Sequence, residues 1–246
     1  MPRFPSLLCA PLLLLSVLLG SEARAQKKIK TQNLQNFDLH PFHFGFLLSY
    51  NTADFFVKLK PSQQFAPFSD SLLVLDHVRQ PGFNLGIVSS FNMTPNVSVR
   101  FIPTLSFQDR VLNYRFRKSD GTFIGFDKPV ESTWLEFPVL LKLRSDRINN
   151  FAVYVVTGGK FSIDMASQKD VNNEIDDEIV VKLNKYDYSA EVGGGCDMFL
   201  PYFKFGMELK FAVGFPNLLI DDGTRFSSPI ESLRSKCWVF TLTFEG

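Results

Sequence analysis

The feature that most constrains this chain is strict alternation of apolar and polar residues over long stretches. A β-strand points successive side chains to opposite faces, so one wall of such a stretch is greasy and the other polar. The pattern occurs eight times, over residues 42–51, 82–93, 97–108, 134–144, 151–164, 186–198, 202–214 and 235–245. In the first, Phe42, Phe44, Phe46, Leu48 and Tyr50 share one face, and His43, Gly45, Ser49 and Asn51 lie on the other. The stretches run to about nine to fourteen residues, near the roughly 9–11 that cross a bilayer when tilted and longer than the roughly five or six of soluble proteins. Pro103 falls inside the third stretch, where a continuous central strand needs a bulge.

The links between stretches alternate in length. Those at 53–81, 109–133, 165–185 and 215–234 are long; those at 94–96, 145–150 and 200–201 are short. Outer-membrane barrels join short periplasmic turns to longer outside loops. The sequence therefore predicts an all-β fold: an eight-stranded antiparallel transmembrane β-barrel over 42–246, with four long extracellular loops. Within the second long link, Ser119-Asp120-Gly121 marks a hairpin rising above the membrane. The acidic stretch 170–178 reads as a solvated loop in preference to a cation or partner site.

The N-terminus sets the compartment. Arg3 precedes an apolar run from Leu7 to Leu19, and Ala23-Arg24-Ala25 has the small-x-small form of a signal peptidase site, with Gln26 as the first mature residue. Residues 1–25 are thus expected to be a cleaved signal peptide and 26–41 a periplasmic extension. Cys9 sits within the apolar run instead of at its end, which argues against a lipoprotein. Mean hydropathy is close to zero, which excludes a bundle of membrane helices but suits a barrel with one polar wall. The formal charge of +1 gives no reason to expect nucleic acid as a partner.

The polar wall carries Arg100, Glu136, Lys142, Arg144, Lys160, Asp164, Asp187, Glu191, Asp197, Lys204, Glu208 and Lys210. Lipid penalises a basic side chain by about 2–4 kcal/mol near the midplane, so these residues are expected to face the lumen. An eight-stranded barrel is just wide enough for side chains to fill. The reading is a packed, salt-bridged lumen in preference to an ion path. Glu191, Glu208 and Asp187 are expected to pair with Lys204 and Lys210 across the sixth and seventh stretches.

Enzyme chemistry finds no support. His43 is on the inward wall near the periplasmic end, His40 precedes the first stretch and His77 lies in a long link. No Gly-x-Ser-x-Gly occurs, and Gly193-Gly194-Gly195 lacks the lysine and hydroxyl of a phosphate loop. No metal-ligand spacing is present. Cys196 and Cys237 fall on opposite walls, so both are expected to be free thiols.

Three segments carry a family resemblance: residues 33–51 (NLQNFDLHPFHFGFLLSYN), 136–162 (EFPVLLKLRSDRINNFAVYVVTGGKFS) and 185–217 (KYDYSAEVGGGCDMFLPYFKFGMELKFAVGFPN). Together they resemble the PorT (SprT) family, outer-membrane proteins of the type IX secretion system of Bacteroidetes. The motifs are Phe44-Gly45-Phe46, the turn from Leu143 to Asn150, and the turn from Leu200 to Phe205. The resemblance implies a non-enzymatic role, without cofactors, in exporting cargo with C-terminal sorting domains, and in gliding motility in some species. It implies partners among other outer-membrane and periplasmic components of that system, besides the membrane lipids. The alternatives left by the residues are a small pore or transporter and a lipid-modifying enzyme.

Overall fold

The computed structural model describes residues 32–61, 71–117, 120–167 and 181–246. The expected signal peptide with its cleavage site at Ala23, Ala25 and Gln26, the extension up to Thr31 and the acidic stretch 170–178 lie outside the described residues. Contacts divide the chain into 1–31 and Gln32–Gly246, and the second unit is the one described here.

After one 3₁₀ turn, Phe37–Leu39, the described residues form nine strands: β1 Phe42–Leu59, β2 Ser71–Thr94, β3 Val97–Phe101, β4 Thr104–Arg117, β5 Phe123–Arg144, β6 Phe151–Asp164, β7 Tyr186–Phe199, β8 Lys204–Gly214 and β9 Ile230–Glu245. Each is antiparallel to its neighbours, and β1 pairs with both β2 and β9, so the sheet closes on itself. The wall has eight staves, because β3 and β4 lie end to end between β2 and β5. The third stretch is broken at Ile102-Pro103, as its proline demands. Ile102 still donates its N–H to the Pro138 carbonyl, and the Pro103 carbonyl accepts from Ile87. Arg100, Ile102 and Thr104 all stay buried, so the inward parity survives the break.

Several strands outrun the sequence reading. β2 spans 24 residues and β5 spans 22, roughly twice what a bilayer needs. The first two links expected to be long loops are consequently mostly strand, reduced to 60–70 and 118–122, and only the links at 165–185 and 215–229 remain long. The hairpin expected around Asp120-Gly121 is the continuation of β4 and β5, with Gly121 at φ 83° in the turn. β8 begins at Lys204, leaving Tyr202 and Phe203 in the preceding turn.

The ladders show where the wall changes character. Pairing of β5–β6 stops at Trp134↔Asp164, β6–β7 at Ile163↔Tyr186 and β7–β8 at Ser189↔Gly214. Beyond that rim only β2–β4–β5 and the β1–β9 ribbon continue. Between them sits the largest apolar cluster, including Phe55, Leu112, Tyr114, Phe116, Leu218, Phe226 and Leu233. The link 215–229 contributes Leu218, Leu219 and Phe226, so it folds inward as a lid over the lumen. The Tyr114 hydroxyl donates to the Phe226 carbonyl at 3.1 Å.

Below the rim the pattern is inside out. Outward side chains such as Phe44, Phe46, Phe83, Ile87, Val139, Val155 and Phe240 are exposed and apolar. Inward side chains are buried and largely polar. Gly195 on β7 is required by this packing: a Cβ there would lie 2.8 Å from the ring of Tyr154. The glycine run thus makes room for an inward tyrosine. Cys237 is buried on the inward wall, Cys196 is partly exposed on the outward one, and both are free thiols.

Candidate functional site

The lumen holds one connected chain of charges, and the strand registers explain its order. At the foot of β8, Lys204 lies opposite Glu245 of β9, and Nζ reaches Oε2 at 2.5 Å. Glu245 also accepts from Arg100 Nη2 at 2.5 Å, and Arg100 Nη1 donates to Glu208 at 3.2 Å. Glu208 continues to Lys210 at 3.5 Å, Lys210 to Glu191 at 3.2 Å, Glu191 to Lys160 at 3.1 Å and Lys160 to Glu136 at 3.0 Å. Glu136 accepts from Gln108, whose Oε1 accepts from Arg110 at 2.6 Å. The signs alternate from one member to the next. From Lys204 to Glu136 each buried charge has an opposite neighbour, the condition under which an ion pair survives out of water, whereas Arg110 is held by the neutral Gln108 and Ser235.

A side branch pairs Lys142 with Asp197 at 2.8 Å and places its ammonium 3.6 Å from the ring centre of Tyr154. A neutral network on the other side joins Ser49 to Thr241, and Asn51, Ser106 and Gln108 around Asn84. Leu47, Val88, Ile102 and Leu140 form an apolar patch between these layers. Two lumenal gaps of about 10 Å³ each have room for roughly one water apiece.

The lower mouth is closed by the segment 33–38, ahead of β1. Phe37 is buried, stacks on His43 with ring centres 3.7 Å apart, and lies beneath the Lys204 ammonium. His43 Nε2 is 3.1 Å from the His40 carbonyl oxygen. Asp38 accepts from Arg144 at 2.8 Å. Arg147 donates to the Asn33 carbonyl and to Asn150, and lies over the ring of Phe199. Asn33 in turn bonds Asn150 and the Phe199 carbonyl.

All twelve charges expected on the polar wall point inward or close the lower mouth, but not every expected pair forms. Asp187 lies beyond the last β7–β8 partners, above the reach of Lys210, which Glu191 and Glu208 occupy instead. Lys204 takes Glu245, its direct opposite on β9, in place of an acid on β7. Asp164 sits at the rim and accepts from the Ala166 N–H. Among the described residues neither Asp164 nor Asp187 has a cation within ion-pair distance. Arg144 lies at the mouth with Asp38, outside the main chain of pairs.

Sequence reasoning placed Gln108 on the polar face of the third stretch but passed over Glu245 and Arg110. Parity alone could have supplied them: Glu245 continues the wall of Thr241 and Thr243, and Arg110 that of Ser106 and Gln108.

A closed antiparallel wall with an apolar outside and a polar, filled inside defines a transmembrane β-barrel. The family of outer membrane protein β-barrel domains matches residues 25–219, and the chain belongs to that family. Among solved structures, the outer membrane protein OprG from Pseudomonas aeruginosa is similar at 12% identity and a TM-score of 0.44, over 82% of this chain and 94% of that one. The attachment invasion locus protein Ail of Yersinia pestis, solved with the heparin analogue sucrose octasulfate, is similar at 11% identity and a TM-score of 0.36, over 84% of this chain and all of the other. No curated protein matches the chain.

Proposed function

We propose that this barrel is a non-enzymatic outer-membrane component of a type IX secretion system, needed for export of cargo with C-terminal sorting domains. The observation that carries the reading is the unbroken lumenal chain from Lys204 to Arg110, covered by the 215–229 lid above and by Phe37 below. A lumen filled in this way offers no passage for a folded or extended polypeptide. Work done by such a barrel falls to its outer wall, its loops and its periplasmic face. The resemblance of residues 33–51, 136–162 and 185–217 to the PorT family supplies the secretory context. Two of these segments include the residues that seat Asn33 and Phe37 against Asn150 and Phe199. In this reading the long links face the cell exterior and residues 26–41 the periplasm, where partner components engage the barrel.

The test is a gene deletion in a host that secretes such cargo. Sorting-domain proteins should accumulate in the periplasm and return to the medium on complementation. Normal secretion in the deletion strain would sink the assignment. Stable single-channel conductance of the purified barrel in a planar bilayer would instead favour a pore.

A further inference from the structure

Just above the lipid-facing belt the outer wall turns basic. Ala53↔Gln80 is the last pair of the β1–β2 ladder, and a bulge between Arg79 and Phe83 shifts β2 against β4. Across the opening that follows, β1 supplies Asp54 and β9 supplies Lys236, while His77 and Arg79 of β2, whose ladder partners Leu112 and Arg110 are inward, reach Asp54 through the gap between β1 and β2. Asp54 and Lys236 are opposite partners. They alternate with the buried Ala53, Phe55, Ser235 and Cys237, which places both on the outer face. One Asp54 oxygen lies 2.6 Å from His77 Nδ1 and accepts the Phe55 N–H at 2.8 Å; the other lies 3.0 Å from Arg79 Nε and 3.1 Å from Lys236 Nζ.

The carboxylate has a plain structural use as a staple across the seam. It does not account for the surplus of cations. Asp54 is 3% exposed, whereas Arg79 is 60% exposed and gives Asp54 only its Nε. The two terminal amino groups of Arg79 have no partner among the described residues. Two pairs further up, Arg234 is exposed on the same face as Lys236, opposite Phe56. The nearby acid of β9, Glu231, is taken by Lys58 at 2.6 Å. Asp54 therefore holds Arg79 and Lys236 at ion-pair distance, and Arg234 stands two pairs above them with no ion pair among the described residues.

The height of the cluster is set by its neighbours. Two pairs below Asp54↔Lys236 lies Thr52↔Trp238, and Trp238 packs on Phe211 with Tyr50 and Phe240 close by in the ladder. Exposed aromatic residues of a barrel collect at the membrane–water interface. A basic cluster one step beyond them stands level with lipid headgroups, where anionic lipid attracts lysine and arginine.

We propose that Arg79, Arg234 and Lys236, oriented by Asp54, bind the phosphate of an outer-leaflet lipid against the barrel wall. The guanidinium of Arg79, fixed through Nε, presents its free edge as a fork suited to two phosphate oxygens. The site rests on the outward orientation of this rim and on no secretory role.

The test uses the purified full chain in detergent, incubated with bis-phosphorylated lipid A, with the same lipid after phosphatase treatment, or with inorganic phosphate as competitor. Co-eluting lipid is counted by mass spectrometry. The native barrel should retain the phosphorylated lipid, and R79Q and R234Q should each lower retention by about fivefold. Both side chains are exposed, so the variants should keep the native heat-modifiable mobility. R79K should recover part of the loss. Equal retention by R79Q/R234Q and the native chain, or equal retention of the dephosphorylated lipid, overturns the site. Displacement of the lipid by millimolar phosphate would assign the cluster to a free anion and overturn the lipid proposal.

Discussion

Strand β4 runs through two different solvents, and its side chains reverse at the border. Below Arg110 its inward residues are Thr104, Ser106 and Gln108, with Leu105 and Phe107 outward. Above it the inward residues are Leu112, Tyr114 and Phe116, while Arg115 and Arg117 point out. The same backbone geometry serves both halves. In the lower half the outside is oil, so the polar side must be gathered within and neutralised pair by pair. In the upper half the outside is water, and the ordinary rule of apolar inside returns. One strand can therefore carry both rules when its alternation continues and only the sense of the two faces changes.

The largest effect should come from breaking the lower half at its most connected member. Arg100 is fully buried and holds Glu208 and Glu245 together. Arg100→Met should cost about 3–5 kcal/mol by leaving excess buried anion. Urea titration in micelles, followed by the mobility shift on unheated gels, measures it. An unchanged midpoint would show that the carboxylates find other partners.

In the upper half, Phe226→Ala should cost about 3 kcal/mol through the cavity left among Tyr114, Phe116 and Phe126. The loss should stay local. Protease should cut within 215–229 while the gel shift of the barrel is preserved. Collapse of both together would show that the lid and the wall form one cooperative unit.

A matched pair on β4 sharpens the boundary. Leu105→Lys, on the lipid-facing wall, should destabilise by about 2 kcal/mol or more. Arg115→Leu, outward in the upper half, should change stability by less than about 0.5 kcal/mol. Similar costs for the two would misplace the border at Arg110.

The smallest effect concerns pH in the lid. The hydrogen bond from Lys60 to Asp221, at 2.8 Å, holds that carboxyl below its ordinary value, assisted by the Gly223 N–H and against some desolvation. A depressed carboxyl contributes stability above its ordinary pKa and loses it as the pH falls through the folded value. Protease sensitivity at 215–229 should therefore rise below about pH 4. Lys60→Met should weaken that acid dependence, and an identical profile in the variant would exclude this contact as its source.

The same contrast explains what could be read from the residues. β6 coincides with its expected span, 151–164, because all of it lies within the closed barrel and keeps one sense of alternation. β2 and β5 were expected to begin at 82 and 134 but begin at Ser71 and Phe123. The upper part of β5 still alternates, with Val130 and Phe126 inward and Glu131 and Asp127 outward, yet the apolar face has changed sides, while that of β2 is interrupted by two register shifts. A search for apolar-outward strands stops at that reversal. The inward charges were legible by parity within the membrane span. The pairing partners were not, because Lys204–Glu245 depends on the exact β8–β9 register and Arg100–Glu208 joins two staves that are not neighbours in the wall. The Asp54 cluster was hidden for the same reason, since it joins three strands from both ends of the sheet.

The stopper at the lower mouth bears on the timing of folding. Asn33 and Phe37 stand at the beginning of the described chain, but their seats are Asn150 and Phe199, more than a hundred residues later. Contacts so distant in sequence form slowly. Asn33 and Phe37 can settle only after the turns following β5 and β7 have been made. Until then the lumen is open from below and its charges are within reach of water. Sealing is thus a late event, and it dries the interior only once the charges have found their partners.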